Sequence, residues 1–277
     1  MRLGSGAMLI RVGFSADPDD AFMFWGLASG TVDTRGFEFE PVTDDIQSLN
    51  ELALEGTLEV TAISLATYPL VHDTYALLPH GASLGFGYGP VVVAKEKLSL
   101  DELRGIEIVV PGKLTTAFLV LGLTLGGEFP HRVLPFDEIL DEVASGRAQA
   151  GLLIHEGQLT YRDEGLVKCV DLGEWWLLET GLPLPLGVNV IRRDLGDDAM
   201  QAVSEVLRES IDAALANREE ALEYALGFGR GLDDVRGDRF IDMYVNELTR
   251  DYGAEGRQAV RELLARSGHA VQVSFVE

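Results

Sequence analysis

The chain contains a single cysteine, Cys169, among 277 residues. No disulfide can form within it, and a reducing compartment is expected. Cys169 lies inside the apolar run 166–170, where a thiol serves as a small buried hydrophobe. Basic residues are also scarce: 22 Lys and Arg stand against 45 Asp and Glu, a formal net charge of −23. Nucleic acid and anionic membrane surfaces are bound through clustered cations, so neither is an expected partner. Long apolar runs are missing too. No segment reaches the ~18 uninterrupted apolar residues of a membrane span, and the first eight residues hold no apolar core of signal-peptide length. A cytoplasmic protein with a small-molecule partner is expected, its fold starting near Met8.

Histidines are few, namely His72, His80, His131, His155 and His269, and no two stand at HxH or HxxxH spacing. Metal catalysis is therefore not expected. Glycines alternate in Leu84-Gly-Phe-Gly-Tyr-Gly-Pro90, but this stretch precedes a strand instead of linking a strand to a helix. It is no dinucleotide fingerprint, and no cofactor is expected. A Ser–His–Asp hydrolase is not expected either.

What remains reads as alternating strands and helices. Leu9–Phe14 is expected as a strand, followed by a turn in which Asp17 caps a helix, Pro18 occupies its first turn, and Asp19 and Asp20 complement its dipole. Capping alone accounts for these residue types, yet such a turn also leaves backbone N–H groups at the mouth of a crevice. Strands at Phe37–Val42 and Leu58–Ile63 flank a helix that begins near Asp44 and is closed by Gly56. This alternation indicates βαβ units and a parallel sheet. Lys95–Asp101 reads as a crossing into a second unit, and the proline-rich Leu182–Leu186 as the return. The expected division is a larger discontinuous α/β domain, 1–96 plus 187–277, and a smaller inserted α/β domain, 97–186.

Within the insert, strands are expected at Ile106–Val110, Val133–Leu134 and Leu166–Asp171, and a helix at Asp137–Ala144. Thr115 can cap a helix over Phe118–Leu125. That helix start would bind a carboxylate or phosphate through the N–H groups of Thr116 and Ala117, although an ordinary capped turn explains the same letters. Trp175 and Trp176 are expected to pack a domain edge. Helices are predicted at Met200–Ala216, Glu219–Phe228, Asp238–Tyr252 and Glu255–Arg266, with a terminal strand at Val271–Phe275.

The stretch that draws most attention is Ala150-Gly-Leu-Leu-Ile-His-Glu-Gly157. A buried strand ends here in His155 and Glu156, where a parallel strand delivers side chains to a ligand crevice. An imidazole there suits general-base chemistry near neutral pH. The plainer alternative is a surface histidine at a strand end.

Several segments together resemble one family. They are Gly13-Phe-Ser15 with Pro18, Asp20, Phe22 and Phe24; Phe39-Glu-Pro-Val42 with Asp45, Leu49 and Asn50; and Leu52-Ala-Leu-Glu-Gly56. Gly85-x-Gly87-x-Gly-Pro90, Val110-Pro-Gly-Lys-Leu-Thr-Thr-Ala117, Gly151-Leu-Leu-Ile-His-Glu156, Asp171-Leu-Gly-x-Trp-Trp176 and Thr180-Gly-Leu-Pro-Leu-Pro-Leu-Gly187 complete the set. In this order they resemble the 1,4-dihydroxy-6-naphthoate synthase family of the futalosine route to menaquinone, over roughly residues 9–195.

The resemblance implies a type II periplasmic-binding-protein-like fold, two α/β domains around a ligand cleft. It implies a lyase that converts cyclic dehypoxanthine futalosine without metal or redox cofactor, with His155 as the general base. Substrate contacts would fall to Ser15, Asp17, Asn50, Ser64, Gly87, Thr115, Thr116, Ile154 and Glu156. Two other readings share the fold, a non-enzymatic small-molecule binder and a chorismate-dehydratase-like enzyme. The chain departs from the family pattern at Asp17 and Asp19, where many members have Cys and Asn, and at Ala62, where a lysine is common.

Overall fold

The computed structural model describes residues 7–229, 233–269 and 271–277. Residues 1–6, read above for signal-peptide character, lie outside the described residues. Among the described residues there are eleven strands: β1 Met8–Ser15, β2 Phe37–Asp44, β3 Val60–Ser64, β4 Tyr75–Leu77, β5 Ser83–Gly85, β6 Val91–Ala94, β7 Ile108–Val110, β8 His131–Val133, β9 Ala150–Leu153, β10 Val167–Asp171 and β11 Leu184–Arg192.

They form two sheets. The first runs β2-β1-β3-β11-β4, with β5 also pairing β11, and the second runs β10-β6-β9-β7-β8. Strands that continue a βαβ unit are parallel: β1 to β2 and β3, and β7 to β8 and β9. Strands next to a crossing are antiparallel: β11 to β3, β4 and β5, and β6 to β9 and β10. The sheets are therefore mixed where a parallel sheet was expected. A chain that leaves one sheet and returns to it must run back along its own path. Every residue of β3, β6 and β9 is buried, which is why β6 and β9 are short apolar runs without polar alternation.

Sheet membership also moves the expected domain boundaries. Val91–Ala94 was assigned to the first unit, but it pairs with Ala150–Leu153 in the second. The outward crossing is therefore Phe86–Pro90, before this β-branched strand, and not Lys95–Asp101. On the return, Leu184 already pairs with Gly85 of the first sheet. The two crossings adjoin, and one is locked by glycine. A Cβ added at Gly173 would stand 2.0 Å from the carbonyl oxygen of Tyr88, so the helix Leu172–Thr180 can seat against the crossing only without a side chain there. Trp176, fully buried, donates its Nε1–H to Pro183 O at 3.0 Å on the return crossing.

The C-terminal helices pack on the first lobe. Gly26 of the helix Pro18–Ala28 lets Ser210 of the helix Asp197–Ala216 approach its backbone. The Ser210 hydroxyl accepts from Leu27 N at 3.2 Å and donates to Met23 O at 2.8 Å. The helix predicted over 238–252 is two helices, Asp234–Tyr244 and Glu247–Arg250. Asn246 breaks it by capping Leu248 N at 2.9 Å, while its own N–H donates to the Thr249 hydroxyl at 3.0 Å. The terminal strand predicted at Val271–Phe275 shrinks to a single bridge between Leu77 and Phe275.

The lobes touch across the cleft. Leu114 N donates to Gln47 Oε1 at 3.1 Å, Ala66 N to Thr116 Oγ1 at 3.2 Å, and Thr67 Oγ1 to Leu114 O at 2.9 Å. These bonds define a closed arrangement. Among the described residues no helix is long and apolar enough to cross a membrane.

Candidate active site

Between the lobes lies a cavity partly open to solvent, in the kind of position between domains where small-molecule sites commonly form. The first lobe contributes Ser15, Asp17, Asp19, Asp20, Ser64, Ser83 and Asn189 to its wall; the second contributes Thr115, Thr116, Ile154, His155 and Gln158; and Tyr244 enters from the C-terminal helices.

His155 stands just beyond β9, where the chain turns sharply into the helix Gly157–Thr160. It achieves this turn at φ +51°, one of two non-glycine residues in the left-handed region among those described. Its Nδ1 lies 2.7 Å from Asp17 Oδ2. Its ring meets Phe136 edge to face, with centroids 4.9 Å apart. The other nitrogen, Nε2, has no hydrogen-bond partner among the described residues. Burial disfavours the imidazolium, but the Asp17 carboxylate outweighs it and, with Glu156 and Asp20, raises the affinity of His155 for a proton above its ordinary 6.5.

Asp17 has two tasks. As the N-cap of the helix Pro18–Ala28 it accepts from Asp20 N at 3.3 Å, and its second oxygen holds His155. Burial opposes its charge, yet the imidazolium and hydrogen bonds hold its pKa at about 2. The two neighbouring carboxyls are driven the other way. Burial and the Asp17 charge push Asp20 up to about 8, against the N–H of Ser15 that donates to it at 2.7 Å. Burial, Asp17 and Asp20 together carry Asp19 well above the carboxylate range, against the Ser83 hydroxyl that donates to its Oδ2 at 2.9 Å. The cluster therefore holds one charged carboxylate, hydrogen-bonded to an imidazole, beside two carboxyls that are driven toward their neutral forms. These carboxyls place oxygens within 4.8 Å of one another, a donor set of the kind that can hold a cation. The expectation of no metal, drawn from histidine spacing, did not consider them.

The helix Thr116–Leu125 faces this cluster. Thr115 caps it, accepting from Phe118 N at 3.1 Å and donating to Gly112 O at 2.8 Å. Thr116 donates its hydroxyl to Leu186 O at 2.7 Å. Both hydroxyls are thus committed within the protein. An anion here would meet the N–H groups of the first turn, at Thr116 and Ala117, which lie in the wall.

Of the sequence-predicted contacts, Ser15, Asp17, Ser64, Thr115, Thr116 and Ile154 line the cavity with His155, whereas Asn50, Gly87 and Glu156 do not. Fully buried Asn50 donates to Ser64 Oγ at 3.1 Å and accepts from Ser64 N at 2.8 Å, so it holds Ser64 and stands behind the wall. Gly87, at φ +77°, serves the crossing and faces Leu177. Glu156 acts on His155 through its charge. Asp20, Ser83, Gln158, Asn189 and Tyr244 were missed, and Asp19, noted as a departure from the family pattern, does line the wall. The run Gly81-Ala-Ser-Leu-Gly85 does carry Gly-x-Ser-x-Gly spacing, which the sequence reading passed over. Ser83 nevertheless opens a strand, not the strand-to-helix elbow such a nucleophile needs, and its hydroxyl is held by Asp19.

Two α/β lobes with two crossings and a cavity between them define a protein of the periplasmic-binding-protein fold. Solved structures share it at low identity. They include an ABC-import ligand-binding component from Staphylococcus aureus (TM-score 0.70, 13% identical, covering 98% of this chain and 96% of that one). Another is an alkanesulfonate-binding protein from Xanthomonas axonopodis (0.69, 11%, covering 99% and 98%). A crystal structure of an Archaeoglobus fulgidus protein is far more similar, with TM-score 0.89 and 46% identity over 94% of this chain and 96% of that one.

The menaquinone-biosynthesis family profile matches residues 10–269. A Thermus thermophilus protein named 1,4-dihydroxy-6-naphthoate synthase is 44% identical over 258 residues, 93% of either chain. A Streptomyces coelicolor protein of the same name is 39% identical over 264 residues, 93% of this chain and 92% of that one. The chain belongs to this menaquinone-biosynthesis family, and it is an enzyme.

Proposed function

We propose that the protein is a 1,4-dihydroxy-6-naphthoate synthase, a lyase acting on cyclic dehypoxanthine futalosine without metal or redox cofactor, in the cytoplasm. The observation that carries the reading is His155 in the cavity wall, with Nδ1 engaged by Asp17 and Nε2 without a partner among the described residues. A neutral imidazole held in this way has its lone pair on Nε2, ready to accept a proton.

In this reading the substrate carboxylate sits at the start of the helix Thr116–Leu125, against the N–H groups of Thr116 and Ala117. The polyhydroxyl portion meets Ser15, Ser64 and the acidic side of the cavity. His155 Nε2 removes one substrate proton, the released electron pair drives fragmentation, and the proton later leaves with a fragment or to solvent. Closure of the lobes excludes water from the reacting atoms.

Incubating the purified protein with cyclic dehypoxanthine futalosine and following the naphthoate chromophore tests the reading. Turnover is expected, with loss of about 10²–10⁴-fold in kcat for a folded His155→Ala variant. Stoichiometric binding without product would point to a binder, and near-normal turnover by the variant would remove His155 from the chemistry.

A further inference from the structure

Asp17 and His155 belong to different lobes. Asp17 follows β1 of the first sheet, and His155 follows β9 of the second. We infer that Asp17 is a positioning residue, not a substrate ligand, and that closing the cleft assembles an Asp17–His155 dyad and so prepares the base. The inference rests on the reading of His155 as the base and deepens it.

The geometry assigns each atom a task. Asp17 Oδ2 is 2.7 Å from Nδ1, so Nδ1 carries a hydrogen in either charge state and only Nε2 can take the substrate proton. When it does, an imidazolium forms beside a buried carboxylate that is already charged. Asp17 therefore stabilises what the proton transfer creates. The capping bond from Asp20 N fixes this carboxylate on the first lobe, and the tight turn at His155 fixes the ring on the second. With the lobes apart the pair cannot exist, and the imidazole then lacks both its fixed tautomer and its counter-charge.

The surroundings leave Asp17 as the direct partner. From the same turn, Asp19 and Asp20 are driven toward their neutral forms. Glu156 is the adjacent residue and adds negative charge from the second lobe. The turn that carries Phe136 also carries exposed Asp137 and Glu138. On the third side stand Gln158 and the buried phenol of Tyr244, which burial keeps neutral. Among the described residues no lysine or arginine lines the cavity.

The test compares Asp17→Asn, which retains a capping oxygen, with Asp17→Glu and wild type. The first measurement is the pH profile of turnover on cyclic dehypoxanthine futalosine. The working base is the neutral imidazole, so wild-type activity should rise through a midpoint above 6.5. In Asp17→Asn that midpoint should move down, because burial of the ring is no longer opposed. kcat should fall by about 10²–10⁴-fold while KM changes by less than about threefold. Asp17→Glu should recover part of both effects.

The second measurement is a ¹⁵N-imidazole NMR titration, assigned with His155→Gln, without ligand and with 1,4-dihydroxy-6-naphthoate under anaerobic conditions. Wild type should titrate above the Asp17→Asn variant, by a wider margin when the ligand holds the lobes closed. Equal midpoints in the two proteins, or a raised KM at unchanged kcat, would overturn the dyad. The titration reads the pair whether or not the naphthoate is made, so failure of the proposed reaction is seen separately.

Discussion

Tyr244 and Gln158, from opposite lobes, meet at 2.7 Å beside the turn that carries His155. With its amide oriented to satisfy its neighbours, Gln158 directs its nitrogen to Gly89 O at 2.6 Å and to the Tyr244 hydroxyl. Its oxygen accepts from His155 N at 3.2 Å. A C-terminal helix thus supports the peptide that carries His155, through one amide that also touches the crossing.

Tyr244→Phe removes this support and nothing else in the cavity wall. One neutral hydrogen bond of about 1 kcal/mol corresponds to a loss of roughly five- to tenfold in kcat/KM. Steady-state kinetics beside an unchanged far-UV CD spectrum would check it. Unchanged kcat/KM would mean that the turn at His155 holds its shape without the tyrosine.

Asp20→Asn is predicted to stabilise the protein at alkaline pH. The folded state binds a proton on Asp20 up to about pH 8, whereas the ordinary value is 3.8. The stability contributed by that proton is complete below 3.8 and is lost as pH rises to 8. The Tm of the variant minus that of wild type should therefore grow from pH 5 to pH 9. A constant difference would show that Asp20 ionises without cost.

His80 gives the opposite slope. It is 1% exposed, its Nε2 lies 3.0 Å from the Ser204 hydroxyl, and burial holds its pKa down at about 4. The unfolded chain takes up a proton near the ordinary 6.5 while the folded one refuses it until about 4. Stability is thus complete above 6.5 and declines as pH falls through this window, by up to roughly 3 kcal/mol. Urea titrations at pH 7.5 and 5 should show a smaller loss for His80→Gln than for wild type. An equal loss in both would rule out this source.

Much of the frame was legible because local chemistry fixes it. The Asp17-Pro18 turn caps a helix, Gly56 ends one at φ +68°, and the run Gly151–Ile154 carries His155 to the cleft. The partners of His155 were far less legible. Asp17 lies 138 positions earlier in the chain, and only the closing of two lobes brings it to the ring. Tyr244 looks like any aromatic on an amphipathic helix until that helix docks. The outward crossing was placed too late because Val91–Ala94 has the same strand pattern in either sheet, and pairing alone distinguishes them. Asn50 was read as a ligand because an amide fits that task, but its hydrogen bonds go to Ser64.

Gly173→Ala should damage the crossing. The added methyl would meet Tyr88 O and Gly89 N, both backbone atoms that cannot rotate away. A loss of about 1–3 kcal/mol from overpacking, with a raised KM from misaligned lobes, is expected in denaturant titrations and kinetics. A variant as stable and active as wild type would show that the lobes separate more freely here than the contact suggests.

The cavity wall lacks any cationic side chain among the described residues, on a chain of net charge −23. An arriving carboxylate is consequently repelled over long range and rewarded only on contact, by backbone dipoles at a helix start. Added electrolyte shortens the reach of the repulsion and leaves the enclosed contact almost untouched. Capture of an anionic substrate should accordingly quicken in brine, the reverse of what enzymes with arginine-lined mouths display.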